Sequence, residues 1–173
     1  MKFAVRDIEA AAKELHFEEP TQELASLLSG PVADFRLPPT LTVEVTYYRA
    51  GSDLFFQGRV EGELIGRCSR CLEEYRFSLA APFSFVFASR HERDRDLEED
   101  DGDLCYYEGD EVDVSPLLRE QILIALPMRP ICRDNCAGLC PQCGVNRNTG
   151  GCDCREEHGD PRLAVLRTLK LHP

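Results

Sequence analysis

The stretch ICRDNCAGLCPQCGVNRNTGGCDC, residues 131–154, decides how the rest of the chain is read. It carries six cysteines from Cys132 to Cys154, with Leu139 and Val145 as the only large apolar residues between them. Ordering costs about 1–2 kcal/mol per residue for the backbone alone, and a segment this poor in apolar surface cannot offset it by burial. Disulfides or a metal must hold it. The spacing favours a metal. Cys140-Pro-Gln-Cys143-Gly144 sets two thiols either side of a tight turn, and Gly144 allows the left-handed backbone such a turn needs. Cys152-Asp-Cys154 supplies a second pair, and four thiolates suit tetrahedral zinc. A disulfide-stapled loop and a redox-active dithiol are the alternatives.

A second C-x-x-C, Cys68-Ser-Arg-Cys71, lies well upstream. With Cys132 and Cys136 left over, it makes a second set of four. The expected ligand sets are Cys140, Cys143, Cys152 and Cys154 for one zinc ion, and Cys68, Cys71, Cys132 and Cys136 for a second that would clamp the cysteine-rich segment to the rest of the chain. The first ion is the firmer expectation. A partition that gives Cys136 and Cys140 other partners stays open. Cys105, the ninth cysteine, is expected as a lone buried residue of a strand. Nine cysteines without an apolar leader in MKFAVRD read as metal ligands in a cytoplasmic protein rather than as disulfides of an exported one.

The chain of 173 residues has a formal charge of −11, and it is unevenly placed. Residues 92–113 hold twelve acidic residues and two arginines, a local −10. From Arg129 onward, seven Lys/Arg face five Asp/Glu, a local +2. The protein as a whole is not an electrostatic nucleic-acid binder, although its weakly basic cysteine-rich end leaves local RNA contact open.

Alternation marks the core. Leu41, Val43, Val45 and Tyr47 predict one strand; Phe56, Gly58, Val60, Gly62 and Leu64 a second, its glycines marking a bulge or a close approach. Arg49–Asp53 reads as the hairpin loop between them. Tyr75, Phe77 and Leu79, then Phe83, Phe85 and Phe87, predict a third strand, with Pro82 pointing to an edge or a break, and Cys68–Cys71 at the turn before it. Phe3 and Val5 suit a short N-terminal strand. Thr21 is expected to cap a helix, TQELASLLS, ended by Gly30 and Pro31. Residues 90–103, RHERDRDLEEDDGD, read as a solvated acidic loop. A strand follows near Leu104–Tyr107. Ser115-Pro116 should then open and cap a helix bearing Leu117, Leu118, Ile122, Leu123 and Leu126, which Pro127 ends. A last helix, RLAVLRTLK, is expected after Asp160-Pro161; His158 follows the last cysteine closely enough to be a spare ligand but is not counted among the expected ones. The expected organisation is a β-rich core with flanking helices over 1–128, a zinc-binding segment over 129–159, and a helix packing on the core over 160–173. The fold class is α+β, an antiparallel sheet flanked by helices with a cysteine-rich C-terminal appendage.

The run of motifs, C-x-R-C-L after a hairpin, LLREQILIALPM, C-x3-C-x-G-L-C-P-x-C-G-x-N, C-D-C and D-P-R-L-A-x-L, resembles the bacterial large ribosomal RNA subunit accumulation proteins, the YceD-like family. The resemblance covers about Val60 to Leu169. It implies a cytoplasmic, non-enzymatic factor that supports 23S rRNA production and large-subunit assembly. rRNA or a large-subunit ribosomal protein would be its partner, with neither a membrane nor a small-molecule substrate. Arg129, Arg133 and Arg147 become candidate contacts, or counter-charges for the thiolates. A thiol-based redox or zinc-responsive switch is the alternative function. Catalysis finds no support: there is no P-loop, no G-x-S-x-G and no dinucleotide fingerprint, and a four-thiolate zinc site is closed.

Overall fold

Residues 1–28, 34–89 and 104–154 are described by the computed structural model. Among them run β1 (Lys2–Ala4), β2 (Lys13–Pro20), α1 (Gln22–Leu28), β3 (Phe35–Arg36), β4 (Thr40–Ala50), β5 (Asp53–Arg67), β6 (Glu74–Ser89), β7 (Leu104–Tyr107), β8 (Glu111–Asp113) and α2 (Ser115–Ala125). The main sheet has the order β2-β4-β5-β6-β7, and β3 pairs the far end of β5 beyond the reach of β4. β1 and β8 form a separate two-stranded ribbon. The class is α+β, as the alternation and the helix signals indicate. The acidic stretch at 90–103, the stop at Gly30-Pro31, the helix after Asp160 and His158 lie outside the described residues.

One face of the sheet builds the core. Leu41, Val43 and Val45 of β4, Leu54, Phe56, Val60 and Leu64 of β5, and Leu79, Ala81, Phe83, Phe85 and Phe87 of β6 are all buried. Strand side chains alternate between faces, so this is the face the apolar positions select. Leu118 and Ile122 of α2 and Leu24 of α1 close over it, and Phe3 sets its ring 5.0 Å from both Tyr47 and Phe56. Burying a side chain of this kind is worth about 1.5–3 kcal/mol, so these rows carry the stability of the sheet.

Several sequence expectations need correction. The sheet is not purely antiparallel: β7 runs parallel to β6, with Val86 opposite Leu104. Parallel neighbours need a crossover of about a dozen residues or more, and residues 90–103 provide that length. Of the two readings of Pro82, the edge holds and the break does not: β6 pairs with β5 without interruption from Glu74 to Phe87. Pro82 sits where no described strand lies on the other side of β6, so its missing N–H costs no ladder bond there. Thr21 precedes α1, but its hydroxyl donates to the carbonyls of Pro38 and Pro39 instead of accepting from the helix. Ser115 is likewise no cap. The Ser115 N–H donates to Asp113 Oδ1 at 3.1 Å, and the hydroxyl donates to the buried carboxylate of Glu19 at 3.1 Å. In both cases a tertiary partner outbids the local one. Cys105 does lie on β7, but half-buried, where burial raises its thiol above the usual range.

The β5 glycines mark a close approach of β4. A Cβ on Gly58 would stand 1.9 Å from the carbonyl oxygen of Glu44, and one on Gly62 would stand 2.3 Å from Leu41 Cδ2. Gly58→Ala should therefore push β4 and β5 apart and cost about 1–3 kcal/mol, read as a lower urea midpoint at unchanged slope. An unchanged midpoint would show that the close approach is not real.

Candidate metal centres

The β5–β6 turn and the segment after α2 meet around four sulfurs. Those of Cys68, Cys71, Cys132 and Cys136 lie within 4.8 Å of one another, and so do those of Cys140, Cys143, Cys152 and Cys154. These are the two groups named from the sequence. In the first, Cys68 to Cys136 and Cys71 to Cys132 are each 3.8 Å, sulfur to sulfur. A tetrahedral ion with metal–sulfur bonds of about 2.3 Å has edges of about 3.8 Å, so these two edges are compatible with zinc. Each group of four cysteines can hold one metal ion.

Both C-x-x-C turns are the same local structure. The Cys68 N–H donates to Glu73 O at 2.9 Å, and the Leu72 N–H to Cys68 O at 2.9 Å. The Cys140 N–H donates to Val145 O at 2.8 Å, and the Gly144 N–H to Cys140 O at 2.9 Å. The residue after the second cysteine has positive φ in both, +74° at Gly144 and 62° at Leu72. Glycine takes that conformation freely, whereas leucine carries a cost of about 1–2 kcal/mol. Leu72 also points outward, 58 % exposed. Leu72→Gly is thus expected to leave stability within about 1 kcal/mol of the parent, while the β-branched Leu72→Val loses more. Thermal melts of the two variants would check this, and equal melts would argue against the left-handed turn.

Backbone N–H groups aimed at the sulfurs prepare the site. Burial pushes the Cys68 thiol up, but the backbone groups of Cys132, Cys71 and Arg70 outweigh it and hold the thiol at about 6. Cys132, pressed first by burial and then by its sulfur neighbours, is pushed up to about 12. The second group repeats the contrast. Backbone groups of Cys143 and Gln142 draw Cys140 down to about 6, and contact with Cys143, then burial, push Cys154 up to about 12. Within each group one thiol is ready to ionise at neutral pH and another is held back by burial and its sulfur neighbours. A divalent cation removes the opposition.

The two groups differ in shelter. Cys68, Cys71 and Cys136 are buried and Cys132 half-buried, whereas Cys143 is exposed and Cys152 and Cys154 half-buried around buried Cys140. Tyr75 and Ile131 cover the first group. Around it the turn is docked by several hydrogen bonds. The Ser69 N–H reaches Pro130 O at 2.8 Å, and the Leu139 N–H reaches Arg70 O at 3.0 Å. The Arg70 guanidinium donates to the carbonyls of Asp134 and Cys136 at 3.2 and 3.1 Å. Gly138, at φ +72°, passes so near Arg70 O that a Cβ would stand 3.1 Å away.

Two residues absent from the sequence expectations complete the site. Asn148 donates its amide to Cys136 Sγ at 3.4 Å and accepts from the Ala137 N–H at 2.8 Å and from Arg133 at 2.9 Å. Asn146 receives Asn148 Nδ2 at 2.7 Å and donates to Glu73 at 3.3 Å. The sequence traces of this wiring are the Asn that closes the C-P-x-C-G-x-N motif, Asn146, and the N-x-N spacing to Asn148. Of the three candidate arginines, Arg133 is tied to Asn148, and Arg129 and Arg147 are exposed.

The family model described as large ribosomal RNA subunit accumulation protein YceD matches residues 56–170. The Bacillus subtilis (strain 168) protein YlbN is 32% identical over 117 residues, 66% of this chain and 64% of its own length. An uncharacterized Mycobacterium tuberculosis (strain ATCC 25618 / H37Rv) protein is 31% identical over 109 residues, 63% of this chain and 52% of its own. A chloroplastic Zea mays protein, called large ribosomal RNA subunit accumulation protein YCED homolog 1, is 29% identical over 155 residues, 74% of this chain and 52% of its own. The chain therefore spans between about half and two thirds of these relatives. No solved structure matches it. No helix among the described residues is long and apolar enough to cross a membrane.

Proposed function

From the premise that the chain belongs to the YceD family of large ribosomal RNA subunit accumulation proteins, we propose that it is a non-catalytic, cytoplasmic factor supporting 23S rRNA accumulation and large-subunit assembly. Two structural zinc ions would shape its cysteine-rich part. Cys68, Cys71, Cys132 and Cys136 would hold one, and Cys140, Cys143, Cys152 and Cys154 the other. The segment 129–159 is then an appendage on the β-rich core, and rRNA or a large-subunit ribosomal protein is the partner. The observation that carries this reading is the first cysteine group, which joins the β5–β6 turn to the segment after α2. A closed four-thiolate site leaves no position for substrate, which suits a scaffold and not a hydrolase. In cells depleted of the protein, the ratio of 23S to 16S rRNA should fall and recover with the wild-type chain. An unchanged ratio would refute the role.

The difference in shelter gives a further expectation. A colorimetric chelator should take the ion at the exposed Cys143 quickly and the ion at the buried Cys68 slowly. Cys143→Ser should remove the fast phase alone. Two equal phases would argue against two separate sites of different burial. A fast site coupled to loss of rRNA support would instead favour the zinc-responsive switch.

A further inference from the structure

The outer face of the main sheet, opposite the core, is mostly charged. Glu44 pairs with Arg59 at 2.8 Å, and Arg76 with Glu63 at 3.0 Å. At its β4–β5 hairpin end it changes character. Tyr48 of β4 stands opposite Phe55 of β5, Phe55 opposite Val86 of β6, and Val86 opposite Leu104 of β7. These four form one apolar row across four strands. The Tyr48 and Phe55 rings stack at 5.1 Å with 6° between their planes. Tyr106, two residues along β7 on the same face, is 37% exposed. All four row residues are only half-buried, and neither they nor Tyr106 belong to the hydrophobic core among the described residues. Core packing therefore does not account for them.

The charge around the row selects an occupant. Leu104 and Tyr106 lie in the described residues 104–113, which carry four acidic residues and no Lys or Arg. The whole chain stands at −11. RNA affinity comes largely from neutralised phosphates, so a surface in this field repels a nucleic-acid strand even where its rings could stack on bases. A basic protein segment meets both features. Guanidinium planes stack on tyrosine and phenylalanine, long Lys/Arg stems cover Val86 and Leu104, and the net negative charge of the chain attracts the cations.

We infer that the Tyr48–Phe55–Val86–Leu104 row is the docking surface for a lysine- and arginine-rich protein segment. The inference stands on surface chemistry and not on the rRNA role, so each can fail alone. Its test is calorimetric titration of the full chain with a short arginine-rich peptide, the same peptide with lysines, and a mixed-sequence single-stranded RNA of equal length. The arginine peptide should bind tightest. The charge-neutral double change Tyr48→Ser/Phe55→Ser should weaken it about tenfold. Should that variant fail to fold by circular dichroism, Tyr106→Ser, at an exposed side chain, should still weaken binding severalfold. Binding equal to wild type in a folded variant would overturn the proposal by showing that charge alone attracts the peptide. Tighter binding of the RNA than of either peptide would overturn it in favour of a nucleic-acid platform.

Discussion

Serine in place of Cys71 is expected to leave one zinc ion per chain instead of two, and to free the segment after α2 from the β5–β6 turn while the sheet stays folded. Cys71 is buried and its sulfur lies 3.8 Å from that of Cys132. A hydroxyl is a poor substitute for a thiolate, and structural zinc contributes about 10–16 kcal/mol of apparent binding energy. The segment it orders has almost no core of its own, so the few hydrogen bonds from Ser69, Arg70 and Leu139 would be left to hold it. The main core contains none of the eight clustered cysteines, which is why the sheet should survive. Native mass spectrometry reads the ion count, and limited proteolysis reads the release of the segment. Retention of both ions would refute the grouping of these four cysteines.

Phe56→Ala should do the reverse, weakening the sheet and keeping both ions. Phe56 is fully buried, with ring centroids 5.0 Å from Phe3, 5.5 Å from Phe87 and 6.0 Å from Tyr47. Removing so large a side chain at such a junction costs about 3–5 kcal/mol. Domains of this kind have about 5–15 kcal/mol in total. Urea denaturation would measure the loss directly. A loss below about 1 kcal/mol would place Phe56 outside the centre of the core. The two variants together separate what apolar burial holds from what metal binding holds.

The strands were legible because burial of one sheet face imposes strict alternation, and β4, β5 and β6 are long enough to display it. The Cys140–Cys143 turn was legible for a similar reason: Gly144 announces its left-handed backbone. Leu72 occupies the matching place and announces nothing, because leucine rarely takes positive φ. Thr21 and Ser115 carry the local signature of helix caps, yet their hydroxyls are claimed by Pro38 and Glu19, residues far away in the chain. The parallel pairing of β7 was equally hidden, since strand direction depends on the path of the intervening chain rather than on the composition of Leu104–Tyr107. Asn146 and Asn148 look like ordinary turn residues until the fold brings Cys136 and Glu73 to them. Tyr48 and Phe55 sit between the core positions, on the face that alternation assigns to solvent.

The most direct test of the account is the metal content of the full chain, purified without chelator and measured beside a count of free thiols. The geometry of the two cysteine groups predicts two zinc ions per chain and no disulfide. Absence of metal, with the clustered cysteines oxidised in pairs, would contradict it.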